Sequence, residues 1–149
     1  MEKMILGQLA AFNQIYKEMD EIYHSYARRH GISDAALWLL YSLCEGGADT
    51  QGEICAVWHY PPQTVNSVLK NLERQGFIAL EPVQGNRKNK RIVLTEQGTA
   101  LAERVIRPLI LAEQRALHGM EEKERDSPVS YTHLGAVCPG RARLYRGEI

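Results

Sequence analysis

The chain has 149 residues, 44% of them hydrophobic, which suits one domain with an adequate core, and its 18 basic and 18 acidic side chains leave it formally neutral. A neutral total excludes a generally basic, nucleic-acid-coating protein, and no apolar run approaches the length needed to cross a bilayer. The amino terminus lacks the charged and apolar regions of a signal peptide, and the three widely spaced cysteines, Cys44, Cys55 and Cys138, fit a reducing compartment better than a disulfide framework, so a cytoplasmic protein is expected.

In chain order, Ile5, Leu9, Phe12, Tyr16, Met19, Tyr23 and Tyr26 recur every three or four residues, predicting a long amphipathic first helix that ends near Gly31. It is longer than a small core requires. A second helix begins at the Ser33-Asp34 cap and carries Leu37, Leu40, Tyr41 and Cys44 on one side until Gly46-Gly47 breaks it. On that side Cys44 reads as a small buried apolar residue; peroxide sensing would require a lowered thiol pKa and access. A third helix opens at Thr50-x-x-Glu53, a capping-box pattern, and runs to about His59.

The fourth helix starts at Pro61-Pro62, because a proline at the first helical position loses no intrahelical bond, and Gly76 marks its stop. At about 100° per residue, Val65, Val68, Leu69 and Leu72 fall on one side, while Gln63, Ser67, Lys70 and Arg74 fall opposite. The outer face offers amide, hydroxyl, ammonium and guanidinium groups and no acid, with Glu73 off to one side; these groups can bond base edges and phosphates in a major groove. Taken alone, the helix reads equally well as an ordinary amphipathic surface helix.

Its continuation separates the two readings. Ile78 and Leu80, then Ile92 and Leu94, form two alternating runs around the polar stretch from Gln84 to Lys90, predicting a β-hairpin with a long tip whose Gly85 and asparagines permit tight bends. Arg87, Lys88, Lys90 and Arg91 give this tip four positive charges, suited to phosphate or minor-groove contact. Residues 31–59 carry four acids and no Lys or Arg, whereas residues 60–91 carry six bases against two acids, so the positive field is concentrated on the helix and hairpin.

Thr95 then caps another long helix with Leu101, Val105, Ile106, Leu109, Ala112 and Leu117 on its apolar face, and its interior Pro108 predicts a bend. From Asp126 onward no helical period remains; the stretch 126–149 reads as a disordered tail or as a non-native end resembling translated sequencing adapter, and a weakened carboxyl-terminal half of any dimer interface is expected.

Gln63-Thr64-Val65-Asn66 opening the fourth helix, Leu72-Glu73-x-x-Gly76-Phe77-Ile78 closing it, and Leu94-Thr95-x-x-Gly98 after the hairpin give residues 5–125 a resemblance to the MarR family of bacterial transcription regulators. The resemblance implies a mainly α fold with a small β-hairpin: a winged helix-turn-helix within residues 1–125, with dimerisation helices at about 1–30 and 95–120. It further implies a recognition helix over Pro62–Gln75, a wing tip over Asn86–Lys90, and a homodimer setting two recognition helices about one turn of DNA apart. Gln63, Thr64, Asn66, Ser67 and Lys70 are then expected at bases of double-stranded DNA, and Arg74, Asn86, Arg87, Lys88 and Lys90 at the backbone. The family's wing carries Asp-x-Arg eight residues before the Leu-Thr pair, where Asn86 and Lys88 stand here, so its bracing pair is missing while its charge is kept.

Family members often respond to phenolic or other aromatic compounds, so a ligand-responsive repressor with a small aromatic effector is implied. Tyr16, Tyr23, Tyr26, Trp38, Tyr41 and Trp58 stand at helical spacing, however, and read first as core. No ligand residue is assigned. The five histidines form no metal pattern, and no nucleophile elbow, phosphate loop or paired carboxylates point to catalysis or a cofactor. A winged-helix protein-interaction module that does not read DNA is the remaining alternative.

Overall fold

A computed structural model describes the backbone of residues 2–83, 86–119 and 122, and the side chains of those residues except 2 and 86–89. The expectations for the tail from Asp126 and for the side chains of Asn86, Arg87 and Lys88 lie outside the described residues. The element order is α1 (Glu2–Arg29), α2 (Asp34–Glu45), α3 (Gln51–Trp58), α4 (Pro62–Arg74), β1 (Ile78–Val83), β2 (Asn86–Leu94) and α5 (Glu96–His118).

The helix starts follow their local chemistry. Ser33 accepts from the Ala36 amide, Thr50 and Glu53 close a reciprocal capping box, Pro62 occupies the first turn of α4, and Thr95 accepts from the Gly98 amide. Gly76 ends α4 at φ +75°, a left-handed turn that lets the chain reverse into β1.

Gly98 answers a different demand. A Cβ there would lie 1.8 Å from the Phe77 carbonyl oxygen, so the first turn of α5 rests directly on the backbone leaving α4. The Thr95 amide donates to that same carbonyl at 3.1 Å, and the Thr95 hydroxyl donates to the Gly76 carbonyl. The Leu94-Thr95-x-x-Gly98 pattern is therefore the weld between α4, the hairpin and α5.

The core is formed by Leu37, Leu39 and Leu40 of α2, Ile54 of α3, Val65, Leu69 and Leu72 of α4, Ile78 and Ile92 of the hairpin, and Leu101, Val105, Ile106 and Leu109 of α5. Helix α2 is central, buried on more sides than one stripe of apolar residues would require. Cys44 departs from expectation: it is exposed, one turn past Leu40, where α2 overruns the core and meets Glu103 and Arg107 of α5 in a shallow groove. Partial desolvation and then the Glu103 charge push its thiol pKa up, opposite to what a reactive sensor cysteine needs.

The hairpin is antiparallel, with Ile78 opposite Leu94 and Leu80 opposite Ile92, so alternate residues share one face. Its tip differs from the expected bends at the asparagines: the backbone of Asn86–Lys90 continues as strand. The register slips instead between Pro82, opposite Lys90, and Val83, opposite Asn86. Proline has no N–H to give the ladder, and β2 accommodates its extra residues at that break.

Helix α5 runs unbroken through Pro108, and the Tyr26 hydroxyl donates to its Val105 carbonyl at 2.7 Å. Of α1, the end from Tyr23 to Ala27 joins the core. Upstream, Met4, Ile5, Leu6, Leu9, Ile15, Met19 and Ile22 are all at least half exposed.

Candidate nucleic-acid interface

Helix α4 presents the expected two faces. Val65, Leu69 and Leu72 are buried and Val68 packs against them, while Gln63, Asn66, Ser67, Lys70 and Arg74 are exposed and Thr64 is half-buried. The turn leading into it is held from α3: His59 takes the left-handed capping position at φ 54°, and the Gln51 side-chain amide donates to the Pro62 carbonyl at 3.1 Å. That contact ties the first residue of α3 to the first turn of α4 and fixes how α4 leaves α3.

Two of the outer side chains are partly committed within the helix. The Ser67 hydroxyl donates to the Gln63 carbonyl at 2.9 Å, leaving its lone pairs to accept, and Arg74 Nη2 donates to Asn71 Oδ1 at 2.8 Å, using one of five guanidinium donors. Gln63, Asn66 and Lys70 stay outward with amide and ammonium groups that suit base edges and phosphates.

The wing is joined to the helices at its base. Arg91 Nε lies 2.6 Å from Asp49 Oδ2, the Ile92 amide donates to the Asp49 carbonyl at 2.7 Å, and Thr50 forms an isolated antiparallel bridge with Arg91. Of the cations read into the wing, Arg91 is thus tied to an acid, while Lys90 is exposed toward the tip.

Behind the interface the aromatic residues pack on one another. Trp38 and Trp58 stack with centroids 4.7 Å apart, and Tyr23 lies 4.7 Å and Tyr41 5.7 Å from Trp38. The Glu113 carboxylate of α5 accepts from both the Tyr23 hydroxyl (2.6 Å) and the Tyr41 hydroxyl (2.7 Å). Burial and then these bonds to a carboxylate raise both phenol pKa values. One acid thereby joins α1, α2 and α5.

Sequence reading missed Asp49, Gln51 and Glu113. The capping box marked the start of α3, but an acid immediately before a cap carries no local sign that it pairs with a strand far along the chain. Glu113 lies in a helix with charged residues on its outer side, and its partners become visible only once α1 and α2 are packed.

A helix-turn-helix, a fourth helix with a free polar face and a hairpin wing define the class: a winged helix protein. Residues 30–88, from the end of α1 into the wing, match the MarR family model. It is 34% identical over 74 residues to the HTH-type transcriptional regulator PecS of Dickeya dadantii (strain 3937), a match that covers 50% of this chain and 41% of that protein. The chain thus matches less than half the length of this curated relative. The fold is that of NMB1585, a MarR family regulator from Neisseria meningitidis (TM-score 0.71, 22% identity, 95% of this chain and 99% of that one). It is also that of a MarR family transcriptional regulator from Listeria monocytogenes complexed with 26mer DNA (TM-score 0.68, 24% identity, 92% and 90% covered).

Proposed function

We propose that the chain is a sequence-specific DNA-binding transcription regulator, acting as a homodimeric cytoplasmic repressor without a catalytic step. The observation that carries this reading is the acid-free exposed face of α4 beside a basic wing, on a buried core that fixes both. Gln63, Thr64, Asn66, Ser67 and Lys70 approach bases, while Arg74, Asn86, Arg87, Lys88 and Lys90 hold the backbone. The Listeria regulator of the same fold was solved complexed with 26mer DNA, which supports DNA as the partner.

The dimer is supported by the apolar residues that α1 leaves uncovered; Ile15 and Ile22 are 59% and 64% exposed. Two copies joined there would carry two recognition helices to the halves of a pseudo-palindromic site. A small aromatic effector would release DNA by binding the dimer state whose helix spacing does not fit.

Sedimentation velocity of a labelled duplex from upstream of the gene, with a scrambled duplex alongside, tests the reading. Two chains on the upstream duplex, with affinity that falls steeply as salt rises, are expected. Chains that ignore both duplexes while remaining folded would support the interaction-module alternative.

A further inference from the structure

We propose that Asp49 is the positioning residue of the wing: it ties β2 to the start of α3 and so sets the direction of the basic tip relative to α4. The inference rests on the reading of the chain as a DNA binder. Three observations carry it.

First, the attachment is double. Asp49 engages adjacent residues of β2 through different atoms, its carboxylate taking Arg91 Nε at 2.6 Å and its carbonyl taking the Ile92 amide at 2.7 Å. Ile92 is itself buried, so the strand is pinned by its side chain at the point where its backbone is held.

Second, Asp49 is immobilised from the other side. Glu53 of α3 accepts from the Asp49 amide (3.1 Å), the Thr50 amide (3.0 Å) and the Thr50 hydroxyl (2.9 Å), and these bonds hold the Glu53 carboxyl below its usual pKa. Helix α3 is in turn fastened to the start of α4 through Gln51 and the Pro62 carbonyl. A continuous chain of bonds runs from the wing to the recognition helix.

Third, residues 86–90 of the wing include no acid, so no carboxylate within that stretch can brace its cations. Asp49 and Arg91 form an ion pair at the wing base on different elements. Their side chains are 41% and 60% exposed, so the pair adds little to folding stability, and its effect is on orientation.

Electrostatics gives the proposal a test with opposite signs. Asp49 places a negative charge beside a surface read as DNA-binding, so if the carboxylate were a bystander, Asp49→Asn would strengthen duplex binding. As a positioning residue, its loss weakens binding. Arg91→Lys keeps the charge while removing the guanidinium Nε, so a phosphate-charge role for Arg91 predicts no change and the brace predicts a loss.

Wild-type protein is first used to enrich a duplex from a randomised pool. Affinity for that duplex and for a scrambled one is then measured for wild type, Asp49→Asn, Arg91→Lys and the double variant, with thermal midpoints alongside. We expect each single variant to lose about 3- to 10-fold for the enriched duplex, with less change for the scramble, and the double variant to be no weaker than the worse single one. Equal or tighter binding by Asp49→Asn, or additive losses in the double variant, overturns the brace. Should Asp49→Asn fail to fold, Arg91→Lys decides alone, with unchanged affinity overturning it. Failure of wild type to enrich any duplex instead overturns the DNA reading on which the brace depends.

Discussion

Helices α4 and α1 are both amphipathic, but their uncovered faces are opposite in character. In α4 the apolar face is closed by the chain's own core and the polar face is left open; among the described residues, Met4, Ile5, Leu6, Leu9, Ile15 and Met19 of α1 stay exposed. The apolar side of α4 is therefore closed and its outer polar groups face outward, whereas much of the apolar side of α1 is uncovered among the described residues. An apolar surface has no better use than burial, and a face of amides and cations has many, so the two helices call for different partners. For α4 the proposed partner is DNA, and for α1 a second copy of the chain.

The largest effect expected comes from breaking the weld beneath the lobe. Gly98→Ala places a methyl group against the Phe77 carbonyl and should cost about 2–4 kcal/mol, read as a fall in the urea midpoint; an unchanged midpoint would mean that α5 can lift without loss. Next, Ile15→Glu combined with Ile22→Glu should convert dimer to monomer in sedimentation equilibrium and weaken operator binding about 100-fold, because the second half-site contact is no longer intramolecular. Far-ultraviolet circular dichroism should remain that of a folded chain, because Tyr23, Tyr26 and Ala27 of α1 keep their places against the core. A variant that stays dimeric would place the dimer contact elsewhere.

Lys70→Ala should sharpen the contrast from the side of α4, weakening the specific duplex by about 1–3 kcal/mol with no change in oligomeric state. Retained affinity in a binding titration would remove Lys70 from the base-reading face. The smallest effect concerns the joint between α1 and α2, where His24 Nδ1 lies 2.9 Å from Asp34 Oδ2. This bond and then the Asp34 charge raise the His24 pKa, so its contribution is fully present below about pH 6.5 and is lost as pH rises through the higher folded pKa. Stability of wild type relative to His24→Gln should therefore decline across that window in paired urea titrations. Glu53 runs the other way: its lowered pKa gives a contribution present above about pH 4.3 and lost as pH falls through the folded value.

Much of this architecture was legible because the signals are local. Ser33, Thr50, Pro62 and Thr95 satisfy orphan amides or omit one, and such chemistry reads the same in a sequence as in a fold. Helical period gave the faces of α4 correctly for the same reason. It failed at Cys44, since period assigns a side but not the point where the neighbouring helix turns polar. The hairpin tip failed because Pro82 shifts the register across the pair, and Asn86 and Asn89 by themselves say nothing of their partner strand. At the candidate interface the outward residues of α4 were legible, while Asp49 and Glu113 were not. Their roles depend on contacts between distant parts of the chain, as with Glu113 and Tyr23, 90 residues apart.

The stacked pair of Trp38 and Trp58 has a practical consequence. These are the chain's two tryptophans, and one sits in α2 while the other closes α3 just before the turn into α4. The protein's whole indole emission therefore originates from a single joint, with Tyr23 and Tyr41 close enough to pass excitation into it. Near-ultraviolet circular dichroism and intrinsic fluorescence should follow the packing of α2 against α3 at the turn into α4, with no dye attached and no other indole to mask the signal.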